Sequence, residues 1–119
     1  DTFSEIGKKR IGGIAVHDDA MLITSADQIA KFAIKQRLPS TGFPSFVVAG
    51  GLVGYGVDFD KMWDRGAYFV DKILKGTKPE GIPVERAATF EFSINLKTAK
   101  VLGIKIPNSI LVQATQVIE

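Results

Sequence analysis

The chain has 119 residues, of which 45% are apolar and 24% charged. This length suits one folded domain, and the composition excludes disorder, collagen and coiled coil. The chain contains no cysteine, which excludes disulfides and thiolate metal sites. The net charge of +2 is too small to indicate nucleic acid or an anionic membrane as a partner. No apolar run approaches the roughly 20 residues of a membrane span, and no export signal is recognisable.

The first twenty residues predict a helix end followed by a buried strand. Asp1–Arg10 closes on a basic run, which suits the last turn of a helix because cations stabilise its negative end. Ile11–Val16 is short, apolar and β-branched, and the polar residues His17, Asp18 and Asp19 follow it. This pattern predicts a buried strand that ends in a polar loop, which is where α/β folds place ligands.

The next segment predicts a helix, a short strand and a helical turn. Apolar residues recur at helical spacing over Ala26–Gln36. Ser25 and Gln28 have the spacing of a capping box at the start of that helix. Leu38–Phe43 predicts a second strand, and Ser45–Val48 predicts a turn or a single helical turn.

A glycine-rich strand and a long amphipathic helix come next. Gly50–Gly56 combines apolar residues with glycines, which permit unusual dihedrals or close backbone approach. We read it as a strand that changes direction. Phe59–Leu74 carries a broad apolar face, with the acidic Asp58 and Asp60 at its start and Gly76 beyond its end. It is the clearest helix that the sequence predicts.

The last third predicts a connection, a strand and a short helix. Thr77–Glu85 contains two prolines and reads as an extended connection. Thr89–Asn95 alternates apolar and polar residues and predicts a strand with one buried and one wetter face. Its last residue can cap a helix over Leu96–Leu102, Gly103 can end that helix, and a turn, a short helix and an extended tail follow over Pro107–Ile118. The order of elements predicts an α/β fold with a parallel or mixed sheet and flanking helices.

Residues that could carry catalysis do not form a recognised motif. His17, Asp18 and Asp19 could form a metal or acid/base cluster, but the chain has one histidine and no HExxH or EF-hand pattern. The glycine segment has no Walker lysine and serine pair, and no serine lies in a GxSxG elbow. No metal or cofactor is predicted. An enzyme is disfavoured, because it would need His17 to meet a nucleophile in one pocket.

Several stretches of the sequence closely resemble one family. They are QRLPS, AGGLVGYGVD, YFVDKILKGTKPEGIPVE and FEFSINLKTAKVLGIKIP, which begin at Gln36, Ala49, Tyr68 and Phe90. With the IAVHDD segment they cover almost the whole chain, and they resemble the substrate-binding proteins of ABC transporters, in particular the tryptophan- and tyrosine-binding lipoproteins. The resemblance implies the C-terminal portion of a type I periplasmic binding fold, in which two lobes close over a solute by a hinge motion.

The resemblance also implies a division of the chain between two lobes. Residues 11–50 and 90–119 would belong to the second lobe, and residues 51–56 and 83–89 would be hinge crossovers. Residues 57–82, with the long helix, would belong to or pack on the first lobe, whose own sheet is missing from this chain. An unpartnered apolar helix face would then drive the chain to dimerise.

Site residues follow from the same resemblance. Asp18, after the first strand, matches an acidic position of the family and could accept hydrogen bonds from a solute ammonium group. Asp19, which stands where the family pattern has proline, is the second acidic residue expected to contact the solute. Phe46 and Tyr55 could offer apolar and hydrogen-bonding surface to a solute, or could serve as hinge packing. The glycines expected at the hinge are Gly50, Gly51, Gly54 and Gly56.

The expected function is that of a non-enzymatic solute-binding component of an ABC importer. It would capture a small solute, such as an amino acid or related carboxylate, and deliver it to a membrane permease. The alternative is a ligand-sensing regulatory domain of the same fold. The importer component would lie in the periplasm or be anchored outside the cytoplasmic membrane, with no nucleic acid as a partner.

Overall fold

The structure, a computed structural model, describes residues 5, 6, 9 and 11–119. The helix end predicted at Asp1–Arg10 lies mostly outside these residues. The described chain divides into two compact units. Unit 1 contains the described residues up to Gly56 together with Glu91–Glu119, and unit 2 is Val57–Phe90.

A five-stranded sheet contains short strands in the order β1-β2-β3-β4-β5. The strands are β1 Ile14–Ala15, β2 Ser40–Gly42, β3 Val53–Val57, β4 Phe90–Asn95 and β5 Gln116–Ile118. The pairs β1 with β2, β2 with β3, and β4 with β5 are parallel. Asn95 N donates to Leu52 O and Asp58 N donates to Thr89 O, an order that makes β3 and β4 antiparallel. The sheet is therefore mixed, as the sequence predicts.

Helices connect and flank these strands. They are α1 Ala20–Thr24, α2 Ala26–Lys35, α3 Pro44–Val48, α4 Phe59–Leu74, α5 Leu96–Leu102 and α6 Asn108–Leu111, with a 3₁₀ turn at Pro79–Gly81. The predicted cap of α5 is confirmed, and Asp58, an acidic residue expected at the start of α4, caps that helix. Asp58 Oδ1 accepts from Lys61 N at 2.9 Å, and Asn95 Oδ1 accepts from Thr98 N at 3.0 Å. Gly103 ends α5 with φ of 71°, in the left-handed region that favours glycine.

The capping box predicted at Ser25 and Gln28 is wrong. Ser25 makes no side-chain bond to the start of α2, and its backbone has φ −101° and ψ 5°. An N-cap side chain reaches its amides from an extended backbone. Ser25 lies instead directly after α1, a helix that the sequence pattern did not reveal, and its own N–H bonds to Leu22 O.

The last two strands also differ from their predicted patterns. Burial increases along β4, from Phe90, which is 43% exposed, to Ser93 and Ile94, which are fully buried. Ser93 was expected on the wetter face, but both faces of the strand are covered at this point. The predicted extended tail forms β5, which joins the sheet beside β4 with Ser93 opposite Gln116.

The core of unit 1 lies where α2 and α3 meet the sheet. Its buried cluster is Ala26, Ile29, Ala30, Phe43 and Phe46. The rings of Phe43 and Phe46 are 5.9 Å apart and tilted by 59°, an arrangement that aromatic pairs favour. No helix in the described part of the chain is long and apolar enough to cross a bilayer.

Candidate functional site

Polar and aromatic side chains lie at the edge where β1, β2 and β3 end. Ala15 pairs with Thr41, and Thr41 pairs with Val53. Tyr55 directly follows Gly54, the last residue of β3 that pairs with β2, and Asp18 lies in the loop that follows β1. Adjacent strands lie about 4.8 Å apart, so β1 and β3 are roughly 10 Å apart at this edge. Parallel strands of α/β folds bind ligands at their carboxyl ends, and this edge is therefore the candidate site.

The two neighbouring aspartates have different environments. Asp18 is exposed in the loop after β1. Asp19 is exposed as well, but its Oδ1 accepts from Met21 N at 2.9 Å and caps α1. A capping carboxylate satisfies an amide that would otherwise lack a partner at the helix start. Asp18 is thus the better placed of the two to meet a ligand.

Tyr55 is presented on the open face of β3. Side chains alternate along a strand, so Tyr55 shares a face with Val53, while Gly54 faces α3. At Gly54 an added Cβ would lie 2.5 Å from Val47 Cγ2 and 2.7 Å from Phe43 O. The face with α3 is closely packed, whereas Tyr55 is 61% exposed. The strand therefore carries its tyrosine outward.

Phe46 is buried in the core of unit 1, away from that surface. It has no exposed area, and its ring packs against the backbone of Gly42 and Gly51. An added Cβ at Gly51 would lie 2.3 Å from the ring. The structure thus places Phe46 as a packing residue in the core of unit 1, and a role in a hinge stays a prediction.

At each of the glycines expected at the hinge, the local backbone or packing disfavours a side chain. Gly50 has φ of 110°, a conformation that L side chains rarely adopt. Gly51 and Gly54 allow the close approaches described above, and a Cβ at Gly56 would lie 2.9 Å from Pro44 Cδ. Their role in a hinge stays a prediction.

A buried group of side-chain hydrogen bonds surrounds the turn between α3 and β3. Asn95 Nδ2 donates to Val47 O at 3.1 Å, and Thr98 Oγ1 donates to Gly50 O at 2.9 Å. Ser40 Oγ accepts from Leu52 N at 3.3 Å. Sequence reasoning identified Asn95 only as a helix cap and missed Thr98 and Ser40. The sequence signal that could have revealed them is a polar residue at a position that the strand or helix pattern predicts to be buried.

Unit 2 carries a cluster of charged and aromatic groups. The Arg65 guanidinium donates through Nε to Glu85 Oε2 at 2.7 Å and through a second nitrogen to Oε1. It also lies 4.1 Å from the ring centre of Tyr68 and 4.8 Å from that of Phe69. Lys72 Nζ lies 5.2 Å from the Tyr68 ring centre. The cluster joins α4 to the segment that leads to β4.

These contacts change the acidity of the groups involved. The hydrogen bond from Arg65 lowers the pKa of the Glu85 carboxyl and raises the pKa of Arg65 itself. Hydrogen bonding to Lys72, with the charges of Lys72 and Arg65, lowers the pKa of the Tyr68 phenol. All three groups are solvent-exposed, so salt weakens these effects.

A cavity of about 450 Å³ lies beside this cluster, within unit 2. Its lining includes Met62, Phe69 and the segment from Glu85 to Thr89. The apolar face of α4 is open to solvent in the described chain, and its exposed members include Phe59, Trp63, Val70 and Leu74. Among the described residues, no group of three or more His, Asp or Glu side chains could hold a metal ion.

The sequence was compared with known families. The profile of the ABC transporter substrate binding protein family matches residues 3–118. The chain belongs to this family. Proteins of this family bind small solutes for ABC transporters, so the resemblance read from the sequence motifs is confirmed.

Solved structures give the same result. The chain is similar, with 28% identity and a TM-score of 0.86, to an ABC domain from Streptococcus pneumoniae in complex with L-Trp. It is also similar, with 26% identity and a TM-score of 0.84, to a conserved domain protein from Vibrio cholerae O1 biovar El Tor. A ligand-free, open substrate binding protein with adhesive properties from Clostridium difficile shares the fold, with 20% identity and a TM-score of 0.69.

These similarities extend over nearly the whole chain but only part of the other proteins. The three structures match over 98% of this chain, which spans 39%, 40% and 41% of theirs. No curated protein sequence matches the chain. The predicted fold, an α/β sheet with flanking helices like that of the periplasmic binding proteins, is confirmed, and the sheet is mixed.

Proposed function

We propose that this chain supplies one side of the solute-binding cleft of an ABC importer, and that Asp18 and Tyr55 contact the solute. The observation that carries the proposal is that β1 and β3 are both parallel to β2, so their carboxyl ends lie at the same end of the sheet. The exposed Asp18 follows β1, and the exposed Tyr55 follows the last residue of β3 that pairs with β2, which supports a site at this end of the sheet. The family match supports a transport role over the regulatory alternative.

The chemistry of this edge suits an amino acid or a related small zwitterion. The Asp18 carboxylate can accept charge-assisted hydrogen bonds from an ammonium group. The Tyr55 ring offers an apolar surface that ends in a hydroxyl, which suits an amphipathic ligand. The L-Trp complex of the Streptococcus protein supports an amino acid as the solute class.

Asp19 and Phe46 have supporting roles in this proposal. Asp19 holds the start of α1 next to Asp18 through its bond to Met21 N. Phe46 packs against Gly51, four residues before Tyr55. Both therefore act through the shape of the site, and neither is proposed to touch the solute.

The remaining partners follow from the same proposal. The solute would be delivered to a membrane permease from the periplasm or another extracytoplasmic location, without catalysis or a cofactor. Unit 2 would pack on a first lobe through the apolar face of α4, and residues 51–56 and 83–89 would be the crossovers between lobes.

The same apolar face would make the 119-residue chain dimerise when it is studied alone. Sedimentation velocity of that chain at several concentrations tests this.

Calorimetric titration of the full chain that its gene encodes tests the solute site. The titrants are the common L-amino acids and their deaminated analogues. We expect binding of at least one amino acid and a loss of about tenfold to a hundredfold in affinity for Asp18→Asn, since hydrogen bonds to charged groups are worth about 1.5 to 3 kcal/mol.

The deaminated analogue is the internal control, because it has no ammonium group for Asp18 to bind. Its affinity should be the same for the wild type and for Asp18→Asn. Absence of binding by every amino acid would exclude this solute class. Equal affinity of wild type and variant for the amino acid would exclude Asp18 from the site.

A further inference from the structure

We infer that Asn95 and Thr98 are positioning residues of the solute site, because they hold the backbone segment that presents Tyr55. The inference rests on the proposed function, since the placement of Tyr55 matters for binding only if a solute contacts it. It also gives a physical role to two sequence motifs that are far apart in the chain, AGGLVGYG and INLKTA.

Three hydrogen bonds join INLKTA to AGGLVGYG and to the end of α3 directly before it, all within unit 1. Asn95 Nδ2 donates to Val47 O at 3.1 Å, and Thr98 Oγ1 donates to Gly50 O at 2.9 Å. The backbone N–H of Asn95 donates to Leu52 O at 2.9 Å. The three acceptors lie within six residues, from Val47 in the last turn of α3 to Leu52 directly before β3. We call these three bonds the clasp.

The carbonyls of Val47 and Gly50 belong to a turn outside the sheet, whereas the bond to Leu52 O is part of the antiparallel pairing of β3 with β4. Carbonyl groups at the end of a helix lack intrahelical partners, and buried carbonyl groups without partners are costly. Val47 O also accepts from Gly50 N at 3.1 Å, and Asn95 occupies its second acceptor position. The side chains of Asn95, which caps α5, and of Thr98, in the first turn of α5, therefore complete the bonding of this turn.

The donors themselves have little freedom. Asn95 is 5% exposed and Thr98 4% exposed. Asn95 Oδ1 accepts from Thr98 N at 3.0 Å, so the amide that caps α5 also fixes the orientation of its own Nδ2. The clasp is thus anchored on the first turn of a helix.

The clasp fixes where β3 begins. Gly50 has a φ of 110°, and Gly51 packs against the Phe46 ring, so the turn cannot shift without losing both the bonds and the packing. Tyr55 is three residues after Leu52, the last clasped residue. Loss of the Thr98 hydroxyl would leave the Gly50 carbonyl without this partner and would displace the strand that carries Tyr55.

Replacement of the Thr98 hydroxyl tests the inference in the full chain that the gene encodes. Thr98→Val removes the hydroxyl with little change in shape, and Thr98→Ser keeps it. Thr77→Val makes the same exchange at an exposed residue of unit 2. We expect Thr98→Val to weaken amino-acid binding about fivefold to tenfold, while Thr98→Ser and Thr77→Val stay within about twofold of wild type.

A double-mutant cycle separates positioning of Tyr55 from a general loss of stability. If Thr98 acts through Tyr55, Thr98→Val should have much less effect on affinity when Tyr55 is already alanine. Equal effects of Thr98→Val in both backgrounds, or wild-type affinity of the folded Thr98→Val protein, would overturn the inference.

Two measurements without solute keep the inference testable if no amino acid binds, which would count against the proposed function alone. Amide resonances of Gly54 and Tyr55 should move in Thr98→Val and not in Thr98→Ser. In the wild type, the amides of Gly51 and Leu52 should exchange with solvent as slowly as those of β3. Exchange about a hundredfold faster at Gly51 and Leu52 would show that the clasp does not hold the turn, even if Thr98→Val does not fold.

Discussion

Asp18 and Asp19 are adjacent in the chain, yet the structure gives them different tasks. Asp19 Oδ1 accepts from Met21 N and caps α1, whereas Asp18 stands exposed in the loop before it. The two residues are alike in sequence, and only the start of α1 distinguishes them. A substitution at Asp18 should therefore affect solute binding, whereas a substitution at Asp19 should affect the stability of the fold.

Asp19→Ala should destabilise the protein by about 1 kcal/mol, because the cap of α1 is lost. Asp19→Asn should be nearly neutral, since asparagine caps equally well. Urea unfolding followed by circular dichroism measures both, with Asp18→Ala as the exposed neighbour that should change stability little. A larger loss for Asp18→Ala than for Asp19→Ala would contradict the assignment of the cap.

Phe46→Ala should destabilise the protein by about 3 to 5 kcal/mol, because it opens a cavity in the core of unit 1. Tyr55→Ala, which truncates an aromatic residue on the open face of β3, should cost far less. Thermal unfolding of the two variants compares them directly. Equal losses would mean that Tyr55 is a core residue and not a surface residue of the site.

Residue roles were only partly predictable from the sequence. Phe46 and Tyr55 both read as aromatic residues near a glycine segment, and their burial depends on the register and on α3. Asn95 was predictable as a cap from its place between a strand and a helix. Its bond to Val47 O was not, because it joins residues 48 apart in the chain.

At the scale of elements, the glycines of β3 and of α4 differ in the space that surrounds them. A Cβ at Gly54 would press on Val47 and Phe43, whereas a Cβ at Gly66, within α4, would meet nothing within 4 Å. Gly54→Ala should therefore destabilise the 119-residue chain by about 1 to 3 kcal/mol. Gly66→Ala should stabilise it by up to about 1 kcal/mol, since alanine favours helix. Urea unfolding measures both, and a shift of the same sign in both would contradict this packing.

The ion pair between α4 and the segment before β4 should depend on pH. Arg65 lowers the pKa of Glu85, so the pair contributes stability above the ordinary glutamate pKa of about 4.5. That contribution is lost as the pH falls through the lowered value. The stability difference between wild type and Glu85→Gln should shrink as the pH falls below that range. Urea unfolding from pH 7 to pH 3 measures it, and a constant difference would show that the pair is not formed.

Helix ends were predictable where the local residue types determine them. Features that depend on the packing of neighbouring elements were less predictable. The caps of α4 and α5 and the glycine that ends α5 came directly from residue type and spacing. The capping box at Ser25 failed because α1 precedes it and bends the backbone away from an extended cap. The alternation expected in β4 failed at Ser93 because the strand enters the interior, where both faces are covered.

For the whole molecule, the chain spans about two fifths of the solved proteins that it resembles. The family and the fold were recognisable because several motifs occur in the expected order. The division between lobes stays a prediction, although the described chain separates into units at Gly56 and Glu91. The solute was not predictable, because its contacts depend on a few side chains at one edge.

The 119-residue chain should bind solute much more weakly than the full chain that the gene encodes. Affinity in a two-lobed protein depends on closure over both faces of the ligand. Calorimetry of both proteins with the same amino acid measures the difference. Equal affinities would contradict a cleft that is shared with a second lobe.

A crystal structure of the full chain with its bound amino acid tests the central claim most directly. The account predicts the ammonium group of the ligand within hydrogen-bond distance of the Asp18 carboxylate and its side chain against Tyr55. A ligand bound elsewhere, such as in the cavity beside Arg65 and Glu85, with Asp18 and Tyr55 facing bulk water, would contradict it.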